Sequence, residues 1–250
     1  MGQSIPFGWD EVLYAAVLVG WVLVVVLLIS KGVYEVAKKR TSHLGEERSH
    51  KVGVYFARKT IHMLAGGLVA ILVAVFPLFR TPIMPFVMGV LLAFMCWWPH
   101  HTGKLMDWFQ DKENMYEVDF CFVWATLMTV GWLIADQYNP ALGWWLGAVP
   151  ILFMAFGDGI TGIVRNFLFK KRTKHWSGNV AMFVLCALIG YFVGPFYLAG
   201  VLAAALASAI EHVDKIGDTY IDDNITVPIT AFLVLVAFTA LGIPYMPIPT

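Results

Sequence analysis

The chain has 250 residues, of which 59% are hydrophobic and 14% charged, and its mean hydropathy is +0.72. A soluble domain has about 25% charged residues, so this composition excludes an ordinary soluble protein and favours several membrane-spanning helices. The 17 basic and 17 acidic side chains balance, which excludes a general electrostatic attraction to nucleic acid.

Eight apolar stretches predict an all-α, polytopic membrane protein with about eight transmembrane helices. A spanning helix needs about 20 mostly apolar residues. The predicted spans are 11–33, 59–79, 82–99, 119–135, 141–157, 179–195, 196–212 and 224–243. The fifth and seventh are marginal in length, and a Gly194-Pro195 turn separates the sixth from the seventh. We predict one integral membrane domain over residues 1–250.

The distribution of basic residues predicts the orientation of these spans. Sixteen of the seventeen Lys and Arg residues fall in four segments that lie on one side if the spans alternate. Those segments are 31–59, 100–118, 158–178 and 211–223. Because Lys and Arg are enriched in cytoplasmic loops, we expect the N-terminus outside, in the cell membrane, and an active surface facing the cytoplasm.

The first polar motif lies where the second predicted span begins. Arg58 and Lys59 precede His62 by one helical turn, and Lys59 and His62 share a helix face because they are three residues apart. Two interpretations remain open. The pair anchors the span at the lipid headgroups beside a packed histidine, or the three residues form a cationic site for phosphates.

The second motif ends the fifth predicted span with an aspartate between glycines. Gly157 and Gly159 flank Asp158. A Gly-Asp-Gly string is most often a turn, but glycines also let backbone approach a ligand, and a carboxylate can hold a magnesium ion on phosphate oxygens. A basic run that includes Lys174 follows this motif, which suits either a topology signal or a polyphosphate site.

The third motif opens the last predicted span. Asp222, Asp223 and Asn224 stand beside a helix of hydrocarbon length, where ionisable residues are functional candidates. Asn224 as a helix N-cap, with the two carboxylates favouring the positive helix end, is an equally supported alternative.

Together, these motifs resemble the dolichol kinase, phytol kinase and CTP-dependent diacylglycerol kinase family over residues 55–230. The resemblance is to a prokaryotic polyprenol or dolichol kinase-like member. The strings that carry it are Arg58-Lys59-x-x-His62, Gly157-Asp158-Gly159 with Gly162, Lys174-x-Trp176-x-Gly178, and Asp222-Asp223-Asn224-Ile225-Thr226-Val227-Pro228.

The resemblance implies phosphorylation of dolichol or a related polyprenol by CTP, with Mg2+ as the cofactor, at the cytoplasmic face of the bilayer. It implies nucleotide binding by Arg58, Lys59, Gly157, Gly159, Lys174 and Asn224. It implies catalytic roles for Asp158, Asp223 and His62, and magnesium ligation by Asp158, Asp222 and Asp223. Either a carboxylate or His62 is expected to take the hydroxyl proton.

Two other functions remain open. A cytidylyltransferase that makes a CDP-lipid would use the same CTP, magnesium and inner-face site. A transporter would instead have ionisable residues near the midplane of the bilayer, whereas this sequence gathers them at one interface.

Overall fold

The computed structural model describes residues 8–76, 78–169, 175–213, 215–216, 219–220, 222–243 and 245. Within helices and strands, the side chains of 166–169, 215–216 and 219–220 are outside this description. The chain divides into two compact units, residues 1–125 and 126–250. Each unit is described by itself.

Unit 1 consists of α-helices, some of which are joined into longer helices by π-helical segments. The α-helices are α1 (Trp9–Val24), α2 (Ser30–Arg40), α3 (Glu46–Ile61), α4 (Leu68–Val75), α5 (Ile83–Thr102) and the first part of α6 (Tyr116–Tyr138). A π-helical segment, Val25–Ile29, joins α1 to α2, and another, His62–Gly67, joins α3 to α4. Each pair therefore forms one long helix, Trp9–Arg40 or Glu46–Val75, which is longer than the predicted span.

Helices α2 and α3 extend beyond the predicted spans as a helical hairpin. The 32 residues of Trp9–Arg40 give a helix of about 48 Å, against a hydrocarbon core of about 30 Å. The hydroxyl of Tyr34 lies 2.8 Å from Nδ1 of His50. A Cβ atom on Gly53 would lie 2.6 Å from the Tyr34 ring, so glycine allows the two helices to pack closely. All the Lys and Arg residues of segment 31–59 thus lie on α2 or α3 instead of in a loop.

The π-helical segment His62–Gly67 leaves backbone carbonyls that tryptophan side chains satisfy. Nε1 of Trp21 donates to the carbonyl of Leu64 at 2.9 Å, and Nε1 of Trp124 donates to that of Gly66 at 3.2 Å. Hydrocarbon offers no water to such groups, so these bonds make the irregular backbone tolerable within a bilayer.

Unit 2 consists of the remainder of α6 and five further helices. They are α7 (Trp145–Leu152), α8 (Asp158–Phe169), α9 (Trp176–Phe192), α10 (Tyr197–Ile210) and α11 (Asp223–Ala240). A π-helical segment, Phe153–Gly157, joins α7 to α8. A short antiparallel pair, Lys215–Ile216 with Thr219–Tyr220, precedes α11. Close glycine contacts bring helices together: a Cβ on Gly190 would lie 2.7 Å from the Gly200 backbone.

All eight predicted spans correspond to apolar helical segments, and six of these are long and apolar enough to cross a membrane. The six are Trp9–Arg40, Glu46–Val75, Ile83–Thr102, Tyr116–Tyr138, Trp145–Arg165 and Asp223–Ala240. The helices Trp176–Phe192 and Tyr197–Ile210 have 17 and 14 residues. Among the described residues, the helical fold with several helices of membrane-spanning length is confirmed, whereas the count of eight spans and the orientation remain predictions.

Candidate functional site

Asp158 lies inside a continuous helix, at the junction between a π-helical segment and α8. The turn that the Gly-Asp-Gly string most often indicates is therefore absent here, and both flanking glycines are buried. A Cβ on Gly157 would lie 2.6 Å from Sγ of Cys186 on α9, so helix packing alone explains that glycine. Single π-helical segments occur often at functional sites, which makes the junction before Asp158 a candidate position.

The Asp222-Asp223-Asn224 string begins α11, and its N-cap is Asp222. The Asp222 Oδ1 atom accepts a hydrogen bond from the backbone N–H of Asn224 at 2.8 Å. The cap interpretation of the sequence was right in kind but wrong in residue, because Asn224 lies inside the helix and is buried. Asp223 is the first helical residue and is half-buried. Capping occupies one carboxylate oxygen of Asp222.

Helix packing in unit 2 relates the second motif to the third. The π-helical segment Phe153–Gly157, which ends one residue before Asp158, packs directly against α11. Helix α7 packs against α11 as well, and α8 packs against α9. Asp158 therefore directly follows a segment that contacts α11, and Asp222 and Asp223 stand at the start of α11 in the same unit.

The described carboxylates limit the kind of metal site that unit 2 could form. In the described part of the chain, no three His, Cys, Asp or Glu side chains form a group that could hold a metal ion by themselves. Magnesium in phosphoryl-transfer sites is usually held by one or two carboxylates together with substrate phosphates. A magnesium ion held by these carboxylates would therefore have to share its coordination with substrate phosphates.

The sequence analysis did not predict an extensive polar network among the described residues of unit 2. Arg165 donates from Nη1 and Nη2 to the two carboxylate oxygens of Glu211, both at 2.9 Å. Its Nε donates to the carbonyl of His175 at 3.1 Å, and its Nη2 also donates to Oδ1 of Asn179 at 2.9 Å. Nδ2 of Asn179 donates to Glu211 at 2.7 Å and to the carbonyl of Ser208 at 2.8 Å.

A sequence signal for this network did exist. Arg165 and Glu211 each end an apolar helical run, and charged residues at such positions normally pair with one another. Their separation of 46 residues hides the pairing from any local pattern.

Arg58 and Lys59 lie in unit 1, and Arg58 has a structural partner there. Nε of Arg58 donates to the carbonyl of Phe109 at 2.6 Å. Its guanidinium lies 6.0 Å from the centre of the Tyr116 ring. Nζ of Lys59 lies 5.5 Å from the centre of the Tyr55 ring. Arg58 therefore holds the connection between α5 and α6, a role that the motif did not indicate.

His62 begins a π-helical segment and packs against an aromatic ring. Its imidazole stacks on Phe120, with ring centroids 4.3 Å apart and planes inclined by 20°. The residue is buried, with 8% of its surface exposed. The packed histidine anticipated as one interpretation of the motif is thus present in unit 1.

A second buried cluster in unit 1 joins α5, α6 and their connection. Nε2 of His100 lies 2.6 Å from Oε1 of Glu117, and Nε2 of Gln110 donates to the same oxygen at 2.9 Å. Gln110 also donates to the carbonyl of Cys96 at 2.8 Å. The connection before α6 is therefore held at two consecutive residues, at Phe109 by Arg58 and at Gln110 by these contacts.

The predicted site residues therefore fall into two groups. Unit 2 contains Gly157, Asp158, Gly159, Asp222, Asp223 and Asn224, and unit 1 contains Arg58, Lys59 and His62. Lys174 lies outside the described residues. Comparisons with protein-family models, curated proteins and solved structures found no match to this chain.

Proposed function

We propose that this protein is a CTP-dependent kinase of a membrane lipid alcohol, of the dolichol or polyprenol class. The γ-phosphoryl group of CTP passes to the lipid hydroxyl oxygen, which gives CDP and a lipid phosphate. The reaction occurs at the cytoplasmic face, reached by CTP from the aqueous phase and by the lipid from the bilayer.

One observation carries the proposal: the π-helical segment before Asp158 packs against α11, which begins at Asp223. Two motifs that lie more than 60 residues apart in the sequence thus belong to contacting elements of one unit. The proposal also draws on the order of the motifs and on the helices of spanning length.

The chemistry asked of these residues is modest. Phosphoryl transfer needs little covalent work from the protein, and depends mostly on positioning and charge neutralisation. Asp158, Asp222 and Asp223 would supply oxygen ligands for Mg2+, and the ion would neutralise negative charge on the transferring phosphoryl group. One of these carboxylates takes the proton of the attacking hydroxyl, with His62 as the alternative acceptor that the sequence motif suggests.

The sequence motifs suggest that Arg58, Lys59 and Lys174 neutralise the charge of the triphosphate. They suggest that Gly157, Gly159 and Asn224 also bind the nucleotide. For Arg58, this role has to coexist with its bond to Phe109. A guanidinium has five N–H donors in a planar fork, so the bonds to Phe109 and to Oδ1 of Asn114, the latter at 3.5 Å, leave other donors for a phosphate.

The test uses purified protein in detergent with Mg2+, a panel of lipid alcohols and the corresponding lipid phosphates, and two labelled forms of CTP. A kinase transfers label from the γ-phosphate to the lipid and none from the α-phosphate. A cytidylyltransferase transfers the α-label and releases pyrophosphate, and it acts on lipid phosphates. Transfer of neither label to any lipid in the panel would contradict the proposal.

A further inference from the structure

The network around Arg165 forms a clasp that ties three helices together. The clasp consists of Arg165 on α8, Asn179 on α9 and Glu211 just after α10. Arg165 is 7% exposed and Glu211 is 1% exposed, so water contributes little to their solvation. Four hydrogen bonds from the guanidinium, all between 2.9 and 3.1 Å, fix its plane.

The backbone around the clasp is shaped to admit the guanidinium. A Cβ atom on Gly178 would lie 2.3 Å from Nε of Arg165 and 2.8 Å from its Cζ. Because a real Cβ cannot approach so closely, any other residue at 178 would displace the guanidinium from its partners. Glycine at this position of the Lys174-x-Trp176-x-Gly178 motif therefore has a cause inside the protein.

Arg165 and Asp158 lie on the same face of α8. They are seven residues apart, which corresponds to two turns of helix, an offset of about 20° and a rise of about 10 Å. The clasp, by holding Arg165, thus fixes the rotation of α8 about its axis. It thereby also fixes the direction in which Asp158 projects. Glu211, the other half of the ion pair, opens the connection that leads to Asp222 and Asp223.

We propose that the Arg165–Asn179–Glu211 clasp is a positioning device that fixes Asp158, relative to the start of α11, for binding a metal–nucleotide complex. This inference rests on the proposed function, because it assigns that complex to the carboxylates of unit 2. Arg165 and Glu211 touch neither metal nor nucleotide in this role. They are positioning residues.

A buried ion pair is a poor means of stabilisation alone, since apolar side chains of similar volume often do as well. A planar guanidinium held by bidentate contacts instead defines an orientation. Stability and orientation can therefore be separated by replacing both partners at once. Removing one partner leaves an uncompensated buried charge, whereas removing both does not.

The experiment compares Arg165→Met, Glu211→Leu and the double variant with the wild type in detergent. The probe is Mn2+ with the β,γ-methylene analogue of CTP, followed by electron paramagnetic resonance, which yields a dissociation constant without turnover. The unfolding midpoint of each variant is measured in parallel. Asp158→Asn serves as the variant that removes a ligand. Arg80→Met serves as the matched control, because Arg80 forms an exposed ion pair with Asp10.

We expect the double variant to recover most of the unfolding midpoint that the single variants lose. Its affinity for the Mn2+–nucleotide complex should nevertheless stay lower by about tenfold to a hundredfold, the usual effect of losing a residue that orients a metal ligand. Arg80→Met should match the wild type. Wild-type affinity in the folded double variant would overturn the positioning role and leave only a structural one.

Turnover assays separate this inference from the proposed reaction. An active wild-type kinase whose clasp variants keep full affinity contradicts the clasp alone. Binding without phosphorylation of any lipid alcohol contradicts the kinase alone, and the affinities still test the clasp. A wild-type protein that does not bind the complex overturns both.

Discussion

Arg58 donates its Nε hydrogen to the backbone carbonyl of Phe109 at 2.6 Å, across 51 residues of sequence. This bond ties α3 to the connection between α5 and α6. Arg58, which the first motif assigns to phosphate binding, therefore has a second role in holding unit 1 together.

Replacing arginine with lysine, or lysine with arginine, should therefore affect the two basic residues of the first motif differently. Arg58→Lys loses the planar fork that reaches Phe109, and should lower the free energy of unfolding by about 1.5–3 kcal/mol. Lys59→Arg should leave stability unchanged, as should Lys51→Arg, the control on the exposed face of α3. Unfolding in mixed detergent micelles measures these differences, and equal stability of Arg58→Lys and wild type would contradict the anchoring role.

The phosphate role of the same pair has a separate kinetic signature. If Arg58 and Lys59 bind the triphosphate, each exchange should lower kcat/KM for CTP by about tenfold to a hundredfold, because a charge-assisted contact is lost. Membrane anchoring needs only positive charge, so exchange would then be silent. Alanine variants of both residues that insert normally and keep wild-type kinetics would return the pair to an anchoring role.

The carboxylates should be essential for turnover but dispensable for folding. Asp158→Asn and Asp223→Asn keep the size of the side chain while removing its charge, so phosphoryl transfer should fall to a small fraction of the wild type. The unfolding midpoint should stay close to the parent. Steady-state assays across a range of Mg2+ concentrations test this, and full activity in the presence of EDTA would refute magnesium dependence.

Asp222 has two possible roles that a pair of substitutions can separate. Asp222→Ala removes the N-cap and should cost about 1 kcal/mol of stability, whereas Asp222→Ser keeps an oxygen that can cap Asn224. If Asp222 also holds magnesium, both variants should raise the Mg2+ concentration needed for half-maximal activity. If it only caps, Asp222→Ser should be wild-type in both stability and magnesium dependence.

The predicted orientation can be tested with two exposed positions. In a variant without native cysteines, Gln137→Cys after the fourth predicted span should react with an impermeant thiol reagent in intact cells. Lys104→Cys, which is also exposed, should react only after the cells are opened. Labelling of Lys104→Cys from outside would reverse the topology and move the proposed site to the other face.

The sequence by itself determined the class of protein and the location of its helices. Spanning length and hydropathy are local properties, and so is the Gly194-Pro195 break, which lies between α9 and α10. Local chemistry also indicated a cap at the start of α11. It did not indicate which residue provides the cap, because Asp222 and Asn224 are both good capping residues, and the backbone conformation decides between them.

Tertiary packing alone decided the rest. The π-helical segments at His62–Gly67 and Phe153–Gly157 depend on which neighbours accept an irregular backbone, and no hydrophobic period reveals them. The pairing of Arg165 with Glu211 depends on which helix ends meet across 46 residues. A charge in an apolar run predicts that a partner exists, but only the packing of helices in three dimensions determines which residue that partner is.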